Sequence, residues 1–78
     1  MSRDTGLKKR SVRIAGHETS ITMEDAFWNV LRDIAQERDV SLNTLITEID
    51  SENDGNLSST IRVFILHYLQ QKLAQQIT

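Results

Sequence analysis

Few side chains in this sequence could do chemistry, and their spacing argues against most of it. His17 and His67 are the only histidines and cysteine is absent. Neither histidine has a carboxylate or thiol at metal-ligand spacing, so a turn position and a helix surface account for them better than a metal site does. Ser58-Ser59 would need a neighbouring base to act as a nucleophile; helix capping is the simpler reading. No nucleophile, base and oxyanion donor can be assembled, so no enzyme, cofactor or metal is expected. What remains is charge. Up to His17, Arg3, Lys8, Lys9, Arg10 and Arg13 stand against Asp4 alone, whereas from Glu18 onward ten acids stand against Arg32, Arg38, Arg62 and Lys72. A basic arm on an acidic body suits local attraction to phosphate with repulsion elsewhere. The plainer reading is a solvated tail on an ordinary acidic surface.

The elements that must position those charges follow from periodicity. Ser11-Val12-Arg13-Ile14-Ala15 alternates in character, as does Thr19-Ser20-Ile21-Thr22-Met23, and both read as strands. Gly16-His17 between them suits a two-residue hairpin turn. That turn would pair Ala15 with Glu18, Ile14 with Thr19, Arg13 with Ser20 and Val12 with Ile21. Val12, Ile14, Thr19 and Ile21 then share an apolar face, and Ser11, Arg13, Ser20 and Thr22, extended by Lys9, share a polar one. Helix one is expected from about Glu24 to Arg38, capped by Thr22, with Phe27, Leu31, Ile34 and Ala35 as its core stripe and Val30 beside them. Trp28 reads as dimer core or its rim rather than as an anchor for another protein. After Asp39-Val40, Ser41 caps a second helix carrying Leu42, Leu45, Ile46 and Ile49. A polar loop, Ser51 to Gly55, leads to a third helix from about Leu57 to Gln75, capped by Asn56 or Ser58. Its stripe is Leu57, Ile61, Phe64, Ile65, Tyr68 and Leu73. Strand, helix, turn and helix in so short a span is a DNA-reading architecture more often than an enzyme.

Seventy-eight residues make one domain at most, and a chain this small buries only about 60% of its unfolded surface. Without disulfides, oligomerisation is the ready remedy. The organisation expected is a flexible arm over 1–7, a single domain over 8–75 and a frayed end over 76–78. The longest apolar run, Val63-Phe64-Ile65-Leu66, is far short of a membrane span. The polar, basic N-terminus is not a secretory signal. With no cysteine, the chain fits a reducing cytoplasm.

The stretch from Glu18 to Glu48 resembles the ribbon-helix-helix family of Arc-type and methionine-type repressors. Thr19 to Met23 stand as ribbon, Glu24 to Arg38 as first helix, and Asp39-Val40-Ser41-Leu42-Asn43-Thr44-Leu45-Ile46 as turn and second helix start. A longer string looks like a variant subfamily with an extra upstream strand and a third helix. It comprises Lys9-Arg10-Ser11-Val12, Ala15-Gly16-His17, Phe27-Trp28, Ser41-Leu42, Glu48-Ile49-Asp50, Asn56-Leu57-Ser58-Ser59 and Arg62-Val63-Phe64. Together these cover roughly residues 9 to 69. The resemblance implies a mainly α fold with a short β-ribbon, three helices per chain, and an intertwined homodimer whose ribbon lies in the major groove of double-stranded DNA. Carried over position by position, Glu18, Ser20 and Thr22 would face DNA, Thr19, Ile21 and Met23 would point inward, and Ser41, Leu42 and Asn43 would offer backbone N–H groups to a phosphate. Two positions differ from the family's habit. Glu18 is acidic beside the short Ser20 and Thr22, where a basic or amide side chain is usual, and Asp39 stands where the inter-helix turn usually has glycine.

The sequence thus reads as a homodimeric DNA-binding protein and transcriptional regulator. Lys9, Arg10 and Arg13 supply phosphate attraction, Ser11, Ser20 and Thr22 approach bases, and Ser41 and Asn43 anchor the DNA backbone. The alternative is a protein-interaction module on the same dimer scaffold, including an antitoxin-like role, with little or no DNA binding. Glu18 and the acidic body favour that alternative.

Overall fold

In the computed structural model, which describes residues 6–51 and 55–77, the two alternating runs form one antiparallel hairpin. Its strands are β1, Leu7–Ile14, and β2, His17–Glu24; three helices follow, α1, Asp25–Glu37, α2, Leu42–Asp50, and α3, Leu57–Ile77. The expectations for residues 1–5, for 52–54 in the polar loop and for residue 78 lie outside the described residues. Leu7, expected in the flexible arm, opens β1.

The hairpin register corrects the expected one. The loop is Ala15-Gly16 rather than Gly16-His17. Both loop residues have positive φ, 52° and 84°, as a type I′ turn requires to match the twist of its strands. Ile14 therefore pairs with His17, Val12 with Thr19, Arg10 with Ile21 and Lys8 with Met23. The pairing differs from expectation by two residues. An even offset leaves every side chain on its expected face, whereas an odd one would have inverted the sheet. Val12, Ile21 and Met23 are buried on the core side, with Ile14 packed against them. Thr19, expected inward, lies on that face but is exposed, although Val12, its partner across the hairpin, is buried.

No loop separates β2 from α1. Thr22, the expected cap, stays in the strand, and Glu24 is the N-cap residue, making no side-chain cap hydrogen bond. The α1 stripe is Trp28, Leu31, Ile34 and Ala35, with Phe27 and Val30 half-buried beside it. Trp28 belongs to the chain's own core, with the Arg10 guanidinium 4.8 Å over its ring. The helix ends in a Schellman motif: the Val40 N–H donates to Ala35 O at 3.0 Å and the Asp39 N–H to Gln36 O at 3.1 Å. This geometry places Asp39 in the left-handed region, at φ 58°, where glycine is the usual residue. Ser41 then caps α2 as expected, accepting from the Thr44 N–H at 3.0 Å. The α2 residues Leu45, Ile46 and Ile49 are buried.

Asn56 caps α3, accepting from the Ser59 N–H at 3.0 Å. Ile61 and Ile65 are fully buried, and Leu57, Phe64 and Tyr68 pack at the core's edge. Leu73, expected in the stripe, is 60% exposed. At about 1.5 Å per residue α3 is roughly 31 Å long and α1 only about 20 Å, so the last turns of α3 pass beyond the body they pack on. Val63, Leu66, Leu69 and Leu73 form a second, exposed apolar stripe on α3.

Leu31, with no exposed surface, is a direct test of the core. Leu31→Ala is expected to cost about 2–5 kcal/mol in denaturant unfolding, and a silent variant would mean that α1 buries another face. Ala15→Asn is expected to stabilise the fold by about 1 kcal/mol, because asparagine tolerates the left-handed turn position that alanine does not. An unchanged or lower midpoint would rule out the type I′ assignment.

Candidate nucleic-acid interface

Strand alternation sends Lys9, Ser11 and Arg13 of β1 and Glu18, Ser20 and Thr22 of β2 to the face away from the core. They stand opposite one another as Lys9–Thr22, Ser11–Ser20 and Arg13–Glu18. All six are exposed. At the turn end Arg13 Nη2 lies 3.0 Å from Glu18 Oε2, the two side chains being 59% and 77% exposed. A pair so open to water is weak and easily exchanged for another partner.

The start of α2 is fastened to the same end of the hairpin. Asn43 Oδ1 accepts from the Arg13 backbone N–H at 3.2 Å, which brings Ser41 and Asn43 next to Arg13. Ser41 Oγ also donates to Thr44 Oγ1 at 2.8 Å. At the opposite end, the Ser58 hydroxyl donates to the Thr22 carbonyl at 3.0 Å. Arg62 donates from Nε and Nη2 to Glu24 Oε1 at 3.2 and 3.0 Å and lies over the Phe27 ring, 5.7 Å from its centre. Helices α2 and α3 thus hold the two ends of the sheet.

Arg10 is placed apart from the other basic residues. It shares the core-side face with Val12 and Ile21, donates to Asp25 Oδ1 and covers Trp28. Lys8 reaches the same carboxylate at 3.1 Å. Among the described residues Lys8 and Arg10 therefore share Asp25, Arg13 holds Glu18, and no carboxylate pairs with Lys9. The expected grouping of Arg10 with Lys9 and Arg13 rested on charge. Strand parity separates Arg10 from them, because residue 10 is an odd number of positions from both.

Sequence reasoning missed the tying residues Asp25, Glu24, Arg62 and Ser58, whose contacts span 15 to 38 positions. It also missed Glu37, which accepts from the Tyr68 hydroxyl at 2.6 Å and from Lys72 Nζ at 2.7 Å. Two glutamates are shifted by this wiring. The backbone N–H of Glu24 itself, then Arg62, hold the Glu24 carboxyl below its ordinary range. Lys72, then Tyr68, do the same for Glu37. The Glu37 carboxylate in turn raises both Tyr68 and Lys72. Among the described residues no group of three or more His, Asp or Glu could hold a metal ion. No described helix is long and apolar enough to cross a membrane.

The ribbon-helix-helix domain family matches residues 7–69, most of the chain. The chain belongs to the ribbon-helix-helix family. In its terms β2 is the ribbon strand and α1 and α2 the helix pair, while β1 and α3 fall within the same match. Ribbon-helix-helix proteins are typically DNA-binding regulators or antitoxins. Among solved structures the chain is similar to an uncharacterized protein from Bordetella pertussis Tohama I, with a TM-score of 0.83 and 29% identity over 94% of this chain and 63% of that one. It thus spans less than two thirds of that protein's length. No curated protein matches.

The lowered glutamates predict how the ribbon-helix-helix fold responds to acid. A carboxyl whose folded pKa lies below the ordinary 4.5 adds stability that is complete above that value and is lost as pH falls through the folded pKa. Unfolding free energy should therefore drop on acidification below 4.5. Glu24→Gln combined with Glu37→Gln should flatten that acid limb, and loss of the Glu37 carboxylate should also alter the alkaline limb, where Tyr68 and Lys72 titrate. A double variant with the wild-type slope would show that neither pair contributes.

Proposed function

We propose that the protein is a homodimeric DNA-binding protein and transcriptional regulator that presents the polar face of its sheet to duplex DNA. The observation that carries this reading is the exposed face on which Lys9, Ser11, Arg13, Ser20 and Thr22 lie together, on the face opposite Val12, Ile21 and Met23. Beside it stands the capped start of α2, where Ser41 and Asn43 border Arg13. The backbone N–H groups of that first turn carry the positive end of the helix dipole, suited to a DNA phosphate. Arg10 contributes to the junction of sheet and helix through Asp25 and Trp28 rather than to this face. Exposed Val63, Leu66, Leu69 and Leu73 support self-association, since a contiguous apolar stripe in water favours a partner.

The rival reading is a protein-interaction module, or an antitoxin-like protein, on the same dimer. The Arg13–Glu18 pair favours it, because the carboxylate offsets half of the positive charge on the polar face. Two measurements decide. Sedimentation at micromolar concentration is expected to give twice the chain mass; a folded monomer would end the dimeric reading. Titration of mixed-sequence duplex DNA at several salt concentrations is expected to show binding that weakens linearly in log salt. If no affinity appears at low salt, the regulator reading fails and the interaction module takes its place.

A further inference from the structure

We propose that this chain engages DNA through the phosphates rather than the base edges, because β1 makes the dimer's sheet too wide to enter the major groove. The inference rests on the dimeric DNA-binding reading above and concerns how the same face is used. In a hairpin with a two-residue loop the flanking pair is hydrogen-bonded and bonding alternates from there. With Ile14 opposite His17, the backbone groups of Arg13, Ser11 and Lys9 point outward from β1, and those of Glu18, Ser20 and Thr22 outward from β2. Asn43 meets the outer edge of β1 at Arg13. On β2, Ser58 takes one lone pair of the Thr22 carbonyl, and the outward groups of Glu18 and Ser20 have no side-chain partner among the described residues. The edge left for a second copy is that of β2, and the dimer's sheet runs β1, β2, then the partner's β2 and β1.

Width then decides the binding mode. Strands lie about 4.8 Å apart, so the outer axes of four strands are about 14 Å apart before any side chain is added. The major groove is about 12 Å wide and admits a two-stranded ribbon. A four-stranded sheet rests on the groove's rims. Its inner strands carry Ser20 and Thr22, whose hydroxyls stand one bond beyond Cβ, over a groove about 8.5 Å deep. Its outer strands carry Lys9 and Arg13, the two long cationic side chains of the face, above the rims where the phosphates lie. Arg13 exchanges the exposed Glu18 carboxylate for a phosphate. The outer cations thus suit contact with the DNA backbone and the inner hydroxyls stop short of the base edges, while Glu18 is the side chain of the face that opposes binding.

Two experiments on the full chain test this. In the first, Glu18→Cys, Ser20→Cys and Thr22→Cys are made singly and as the Glu18–Ser20 and Ser20–Thr22 pairs, because a residue meets its own copy only at the two-fold axis, in a protein that otherwise has no cysteine, with circular dichroism confirming the fold. At least one should give an oxidised cross-linked dimer, as side-by-side β2 strands require; no cross-link from any of them overturns the four-stranded sheet. In the second, fluorescence anisotropy compares A·T-rich, G·C-rich and mixed duplexes across salt. Affinities should agree within about tenfold, where base-reading proteins separate specific from non-specific sites by about 10³ or more. Lys9→Ala with Arg13→Ala should weaken all three alike and flatten the salt slope by about 0.9 for each phosphate no longer neutralised. Glu18→Gln should strengthen all three, and Ser20→Ala and Thr22→Ala should leave the ratios among the three unchanged. Selection from a random library that yields a motif, with its preference abolished by Ser20→Ala or Thr22→Ala, overturns this inference and leaves the regulator reading standing. Absence of DNA binding at low salt overturns both.

Discussion

Strand parity is the constraint on which the rest of this structure depends. A β-strand sends successive side chains to opposite faces, and the hairpin of Leu7–Ile14 and His17–Glu24 has one set that must be covered. Val12, Ile21 and Met23 cannot be buried within a two-stranded ribbon, which has too few strands to be stable alone. Leu31, Ile34, Leu45, Ile46, Ile61 and Ile65, all essentially without exposed surface, supply that cover from three helices. The same alternation leaves the other face to water and makes it available to a ligand. Core and candidate interface are two consequences of one periodicity, and an odd shift in register would exchange them.

The helices also fix where the sheet can go. Because α1 begins where β2 ends, the ribbon's direction is tied to the helical body without a flexible joint. Arg62 on Glu24 and Ser58 on Thr22 brace that junction from α3, and Asn43 braces the far end of β1 from α2. The short-range charge balance follows the same division. Asp25 absorbs Lys8 and Arg10 on the core side, so the basic character of the arm is expressed on the outer face by Lys9 and Arg13.

Much of this was legible in the sequence, for identifiable reasons. Apolar periodicity located all five elements, and the polar face emerged with its membership correct because face depends only on parity. Register did not emerge, because Ala15-Gly16 and Gly16-His17 both look like two-residue turns and only the backbone angles distinguish them. The Ser41 cap was readable as a local motif of one helix turn. Arg10 was misgrouped through attention to charge, although its position in the alternation already placed it with Val12. The Glu24–Arg62 and Glu37–Tyr68–Lys72 contacts join residues more than 30 positions apart, and no local pattern announces them. Leu73 reads as part of the buried stripe because it is apolar, although at 3.6 residues per turn it falls on the face of Val63, Leu66 and Leu69.

The placement of the rare aromatics gives the molecule a built-in optical signal. Its one tryptophan, Trp28, lies under the Arg10 guanidinium where the sheet meets α1, and its one tyrosine, Tyr68, hydrogen-bonds Glu37 from α3. Indole emission is therefore sensitive to lifting of the sheet from the helices, whereas the phenol's absorbance follows the clasp between α1 and α3. The two chromophores watch different seams of the same small fold, and their separate wavelengths allow the order in which those seams open to be followed without any added label.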